Sequence, residues 1–352
     1  MKKVVLILTL ALCSSIAFAQ RVNKAELKQL QAFLAQPAKE AATNAEALRI
    51  QNVSDPSQWE GVKVENGHVT EIKWKDKKLA GTLNLSNFSA LTTVDVSRNA
   101  LTSFNVSGDA ALTSVNASRN RLAEVDFTAC PQLTDVSINN NRLTEVSLEN
   151  VPVIKNLNVS NNLFAELNLS SSPTLETVNC QGCHLESLSI DNCTALKNLY
   201  AGYNKLTALT FVGVENLTNL NIDGNQIHSM VVSGLPSLST FVCTDNNMKT
   251  LGLRNCNALL DLVCSYNDLT ELSITQCPRL TFVDCSYNDL TSLNLSNQTF
   301  LQRLLCNNNE LTMLDVSFDQ ALTYINCRFN QIVDLRTMAC PNLTMIACQW
   351  NY

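Results

Sequence analysis

Apolar and polar positions recur along this chain with a period of 21 residues and no slippage from Ala90 to the end. Units begin at Ala90, Ala111, Gln132, Val153, Thr174, Ala195, Asn216, Ser237, Ala258, Arg279, Phe300, Ala321 and Asn342; twelve are complete and the thirteenth stops at Tyr352. A divergent 22-residue unit, His68 to Ser89, precedes them and is one residue longer around Gly81. With unit positions numbered 1 to 21, position 2 is Leu in twelve of thirteen units and Ile154 in the other. Positions 5, 12 and 15 are always apolar, and position 10 is Asn in twelve units, with Cys183 as the exception. Of the eight Pro, six fall at position 21.

Apolar residues at positions 5 and 7 with polar ones between them predict a short strand with alternate side chains inward. One such unit cannot bury its apolar face alone, so successive units are expected to stack and pair their strands into a parallel sheet. The recurring Asn offers a carbonyl and two amide donors to a turning backbone that would otherwise carry unpaired polar groups. Proline at position 21 marks a corner where no ladder N–H is needed. A set of ordinary hairpins would not keep Asn at one fixed phase. Ahead of the repeats, Asn23–Gln36 and Lys39–Ile50 have helical spacing, with Pro37 between them.

Positions 2 to 12 read L-x-x-L-x-[CVIA]-x-x-N-x-L, as in Leu280-Thr-Phe-Val283-Asp-Cys285-Ser-Tyr-Asn288-Asp-Leu290. This resembles the leucine-rich repeat family, and the match extends over His68–Tyr352. Because the other half-unit also reads L-x-x-L-x-L (Leu290, Leu293, Leu295), the chain is similar to the bacterial 21-residue class with nested repeats. The resemblance implies a mainly β, right-handed repeat solenoid. It places the parallel sheet on the concave side and extended or short-strand segments, rather than helices, on the convex side. Residues 20–67 lie outside the period. Their helical stretches, followed by Trp59-Glu-Gly-Val62, Gly67-His-Val-Thr-Glu-Ile72 and Leu79-Ala-Gly-Thr-Leu83, resemble the N-terminal cap of plant-type members, without that cap's cysteines. The expected organisation is therefore a leader over 1–19, a small helical cap over 20–67 and repeats over 68–352.

The leader is read from Met1–Gln20: a basic start, an apolar stretch Val4–Leu12, then Ala17-Phe18-Ala19 with small residues at −3 and −1 of a cleavage point before Gln20. Leu10-Ala11-Leu12-Cys13 is a second reading, a lipobox, but the residue before the Cys should be small and Leu12 is not. The apolar core is too short to span a bilayer, and no other long apolar stretch exists. The chain is expected to be exported, whether secreted, at the cell surface or periplasmic, with no integral membrane span.

Composition sharpens this. The chain has 352 residues, of which 52 are Leu and 42 Asn, while only 16% are charged. That bias suits a repeat protein and excludes a collagen, a disordered tail or a long coiled coil. Without Lys2 and Lys3 the 25 basic residues become 23 against 31 acidic ones, a net charge of −8 that argues against nucleic acid as a partner. Of the fourteen Cys, seven sit at position 7 (Cys180, Cys243, Cys264, Cys285, Cys306, Cys327, Cys348) and five at position 20 (Cys130, Cys193, Cys256, Cys277, Cys340). Position 7 elsewhere is Val, Ala or Ile, so Cys acts there as a small buried hydrophobe, and same-facing ladder thiols start from poor bridging geometry. Mostly free, buried thiols are expected. Cys180-Gln-Gly-Cys183 is formally a CxxC, yet it has neither a helix start nor a second ligand pair, and the two repeat phases explain both residues. His68, His184 and His228 are the only histidines, and no H-x-x-x-H, G-x-S-x-G or P-loop pattern occurs. No enzyme, metal site or cofactor is expected.

What remains free of packing is the set at positions 4, 6, 8, 9 and 11, which would project from the sheet or its rim. Early units are polar there: Thr93, Asp95, Ser97 and Arg98, then Ser114, Asn116, Arg119 and Arg121, then Asn139, Asn140 and Arg142. Later units put Tyr203, Tyr266, Tyr287, Phe329 and Trp350 at position 9, and Tyr200, Val242, Val263, Phe282, Leu305, Tyr324 and Met345 at positions 4 and 6. Position 11 shifts from Arg121 and Arg142 to Asp268, Asp289 and Glu310. Such an apolar patch usually marks an interaction site. The expected partner is a protein; glycan binding is the alternative, since rows of Tyr and Trp can stack on sugar rings, and self-association is a third. The competing structural reading is that the aromatics pack laterally and cover the sheet, with Trp350 and Tyr352 closing the last coil.

Overall fold

The computed structural model describes residues 22–148, 151–295 and 298–352; the leader, the lipobox and Cys13 lie outside these. The repeats stack as a solenoid whose principal element is a 15-stranded sheet. It begins with an antiparallel hairpin, Val62–Glu65 against His68–Lys73, and continues with thirteen parallel three-residue strands from Thr93–Asp95 to Met345–Ala347. Every parallel strand occupies positions 4 to 6 of its unit, and register is kept coil to coil, as in the successive pairs Phe241↔Leu262 and Leu262↔Val283. Among the described residues, short strands on the other side of the coil form four small sheets, one of them made of Ser229–Ser233, Thr250–Arg254 and Glu271–Thr275. The extra residue of the divergent unit is absorbed as a bulge between Gly81 and Thr82, where Gly81 has φ +86°.

Between the two sides runs a continuous core. Leu91, Leu112 and Leu133 at position 2 are fully buried, as are Leu101 and Leu122 at position 12. Asparagine at position 10 closes each coil. Asn120 Oδ1 accepts from the Leu101 N–H at 3.0 Å, and its Nδ2 donates to the Val96 and Ala117 carbonyls at 3.0 Å each. The same set repeats through Asn330. The side chain thus ties one coil to the previous one where neither sheet can.

Cysteines take the places their phase predicts. The thirteen cysteines among the described residues are all unbridged, eleven of them buried; Cys340 is half-buried and Cys348 exposed. Desolvation pushes the Cys285 thiol up to about 12 and those of Cys130, Cys183 and Cys327 up to about 11. At position 20 the thiol is also a donor: Cys130 Sγ to the Val106 carbonyl and Cys193 Sγ to the Leu169 carbonyl, both at 3.1 Å. Asp109 occupies the same position with no exposure. Its Oδ1 accepts from the Phe88 N–H at 2.7 Å, while Oδ2 has no partner among the described residues. Burial raises this carboxyl to about 8, so it is protonated at neutral pH.

The N-terminal segment covers both sheet edges at the start of the solenoid. Helix Lys24–Leu34 is capped by Asn23, whose side chain accepts from Ala25 and Glu26 N–H. Glu26 is buried and holds His68 Nδ1 at 2.8 Å and the Val69 N–H at 2.9 Å. Gln36 and Asn44 then act in place of a neighbouring strand: Gln36 bonds the Thr82 N–H and C=O, both at 2.8 Å, and Asn44 bonds those of Ala80. An edge that would otherwise present a row of open groups is closed by two amides. The second helical stretch, expected over Lys39–Ile50, is only Asn44–Ala47. Thr43 caps its start, its Oγ1 accepting from the Glu46 N–H, while Glu46 Oε2 accepts from the Ala42 N–H just ahead of the cap; Arg49 at φ +58° ends it.

Candidate functional site

Two rows of side chains run across the outward face of the long sheet and along its rim. On the sheet, position 4 aligns Phe282, Arg303 and Tyr324 on adjacent strands. The Arg303 guanidinium lies 5.3 Å from the Phe282 ring centre and 5.9 Å from that of Tyr324, so one cation sits between two rings. Tyr200, Val242, Val263 and Leu305 at position 6 are half-buried beside this row. Tyr200 lies several coils from the Phe282–Tyr324 group.

The rim row at position 9 has a backbone feature that the hydrophobic pattern does not reveal. All thirteen residues there have positive φ, from Arg98 at 59° to Trp350 at 65°. The chain leaves the strand, turns through the left-handed region, and so aims the next residue, the Asn, into the core. Six units use the residues that tolerate this: Asn140, Asn161, Gly182, Gly224, Asp245 and Asn308. Five use an aromatic instead: Tyr203 and Tyr266 at 54°, Tyr287 at 55°, Phe329 at 54° and Trp350 at 65°. A bulky side chain in this region costs about 1–2 kcal/mol. Glycine, asparagine and aspartate at one phase are the sequence signal that identifies the conformation.

Lateral packing of the rings is present but does not bury them. Tyr266 and Tyr287 stack with centroids 4.4 Å apart and planes within 8°, and Phe329 and Trp350 stack at 5.8 Å. Tyr203 lies against Gly224, where an added Cβ would meet the ring at 2.8 Å. Even so, Tyr203 is 64% exposed, Tyr266 55%, Tyr287 44%, Phe329 49% and Trp350 73%. Trp350 and Tyr352 do not close the last coil: Ile346, inward by phase, is exposed, and so is Cys348. The Tyr203 phenol is raised by its hydrogen bond to Asp223, and that of Tyr266 by desolvation and then by its Tyr287 neighbour. Arg303 also belongs to this surface, though a charged residue leaves no mark in the apolar pattern.

Cys180 and Cys183 are both fully buried, and the Cys183 Sγ donates to the Val159 carbonyl at 3.1 Å, the carbonyl that an Asn at this phase would reach. Desolvation keeps both thiols protonated, the reverse of what a reactive CxxC requires.

Stacked 21-residue coils, a parallel sheet on one side, short strands on the other and an asparagine ladder between them define a β-solenoid of the leucine-rich type. No family model and no curated protein matches the sequence. Solved structures do. The leucine-rich effector protein YopM of Yersinia pestis is 25% identical, covering 77% of this chain and 78% of its own, with a TM-score of 0.62. The internalin InlF of Listeria monocytogenes is 17% identical over 88% of each chain, with a TM-score of 0.54. The Leptospira interrogans leucine-rich repeat protein LIC12759 is 19% identical, covering 75% of this chain and 68% of its own, with a TM-score of 0.55. The chain shares the leucine-rich repeat fold with these structures. Among the described residues no helix is long and apolar enough to cross a membrane.

Proposed function

We propose that this protein is an exported, non-enzymatic scaffold that recognises another protein through the concave face of its later coils. The reading rests on one observation: five aromatic residues are held at left-handed backbone positions while largely exposed. Burial does not repay that strain, and stacking of neighbouring rings offsets only ~0.5–1.5 kcal/mol per pair. Strain kept at a surface is a mark of a binding or catalytic site, and this surface has no nucleophile–base arrangement. Binding anchors are commonly aromatic and Arg, seated among residues that exclude water. Phe282, Arg303 and Tyr324, flanked by Val263 and Leu305, have that composition, and a preformed sheet orders little on binding.

The neighbours YopM and InlF, an effector and an internalin by name, are consistent with a protein-binding role. The test is retention of partners by the mature chain from Gln20, compared with the double variant Phe282→Ala and Tyr324→Ala. A partner retained by the first and bound at least ~30-fold more weakly by the second, with melting unchanged, supports the reading. Equal binding by both would reject this face. Retention only of glycans on an array would replace the protein with a sugar.

A further inference from the structure

The rim bears more than aromatics, because positions 9 and 11 also carry unneutralised charge of opposite sign at the two ends. Arg98, Arg119, Arg121 and Arg142 are exposed in the first three repeats, and Asp245, Asp268, Asp289 and Glu310 are exposed in the eighth to eleventh. Among the described residues none of these eight forms an ion pair. Both sets lie on one edge of the solenoid, at the two neighbouring repeat positions 9 and 11, with the tyrosine stack beside the acidic set. We infer that this edge pairs with the same edge of a second copy of the chain, antiparallel, in a two-fold symmetric dimer.

The register follows from the repeat. Arg121 belongs to the second coil and Arg142 to the third, while Asp268 belongs to the ninth and Asp289 to the tenth. Turning one copy about an axis through the sixth coil sets second against tenth and third against ninth. Arg121 then meets Asp289 and Arg142 meets Asp268, and the symmetry repeats both contacts. The same turn brings Arg119 to Tyr287, a guanidinium over an exposed ring. The sixth coil, on the axis, carries Tyr203 at 64% exposure and Lys205, whose charge is already balanced by Glu186 at 3.9 Å. The pitch favours this occupant over an unrelated basic segment. Charges here recur at the strand spacing of ~4.8 Å. A second solenoid has that spacing by construction over the ~38 Å from second to tenth coil, whereas an extended peptide rises ~3.3 Å per residue and drifts out of step.

The inference rests on the proposal above in treating position 9 as a protein-binding row: it names a second copy as a protein that row binds, while the sheet row Phe282–Tyr324 stays open for a further partner. Sedimentation velocity on the full mature chain tests it, at 50 mM and 500 mM NaCl. The wild type is expected to dimerise at low salt and dissociate at high salt, as exposed ion pairs are screened. Arg121→Glu with Arg142→Glu, and separately Asp268→Arg with Asp289→Arg, should each dimerise at least ~100-fold more weakly. All four positions are exposed, and unchanged melting checks the fold. Mixing the two variants should restore a dimer, because reversed charges face each other again. A monomeric wild type at ~100 µM and low salt overturns the inference, as does a mixture that stays monomeric. Neither result touches the Phe282/Tyr324 assay, so the two proposals fail separately.

Discussion

Replacing Asn267 with Ala removes one rung of the asparagine ladder in the middle of the later coils. The side chain is 8% exposed and makes four bonds. Its Oδ1 accepts from the Met248 N–H at 3.1 Å, and its Nδ2 donates to the carbonyls of Cys243 and Cys264 at 3.1 Å and of Ser265 at 3.3 Å. The Cys243 carbonyl keeps Asn246 as a donor, and the Cys264 carbonyl keeps Asn288. Only the Met248 N–H, fully buried, is left without a partner. An orphaned buried donor costs ~1–3 kcal/mol, and the weakened carbonyl bonds add on the order of 1 kcal/mol. The expected loss is therefore about 2–4 kcal/mol in guanidinium unfolding. Asn267→Cys should lose about half as much, since Cys183 shows that a thiol at this phase keeps the carbonyl bond, while sulfur is only a weak acceptor for the N–H. Because a solenoid can unfold in stages, the midpoint and slope should be followed by two probes. A loss below ~1 kcal/mol for the Ala variant would refute the view that the ladder carries coil-to-coil cohesion.

Three further outcomes are expected. The Asp109 carboxyl is raised to about 8 in the folded chain against an ordinary unfolded value, so the stability it contributes is full below about pH 4 and is lost as pH rises through about 8. Asp109→Asn should thus raise the melting temperature at pH 8 and leave it little changed at pH 4, and equal effects at both would contradict the protonated assignment. Thiol titration without reductant should find Cys348 reactive in the native protein, Cys340 slower, and the eleven buried thiols only after denaturation. Few free thiols after denaturation would refute the buried-hydrophobe account. Glu26→Gln keeps an acceptor but removes the charge that His68 meets at 2.8 Å, so it should destabilise the cap by about 1 kcal/mol with no effect on the later coils, read by hydrogen exchange.

The repeat was legible because one phase carries one physical duty. Leu at position 2, apolar residues at 5 and 12 and Asn at 10 each answer to a buried site that recurs every coil, so the sheet, its register and the thiol ladder could be anticipated from Leu280–Leu290 alone. The segment before His68 was less legible, because its work is done once. Nothing periodic announces that Gln36 and Asn44 close a strand edge, or that Arg49 stops a helix after Ala47. The face was half legible. Apolar residues at positions 4, 6 and 9 could be picked out, but Arg303 is read as a site residue only when Phe282 and Tyr324 are seen on its two sides. The left-handed backbone at position 9 is hidden wherever an aromatic stands in place of Asn or Gly.

The central claim is that the rim aromatics are kept for binding at a cost in stability. It is tested most directly by the double variant Tyr266→Asn and Tyr287→Asn, with unfolding midpoint and association measured on the same sample. At 500 mM NaCl, where any dimer is dissociated, asparagine relieves two left-handed tyrosines at ~1–2 kcal/mol each and forfeits one stacked pair worth ~0.5–1.5 kcal/mol. The midpoint should therefore stay level or rise, while association at 50 mM NaCl falls at least ~30-fold. A midpoint that drops as far as association does would show that Tyr266 and Tyr287 are packing elements of the solenoid and contradict the account.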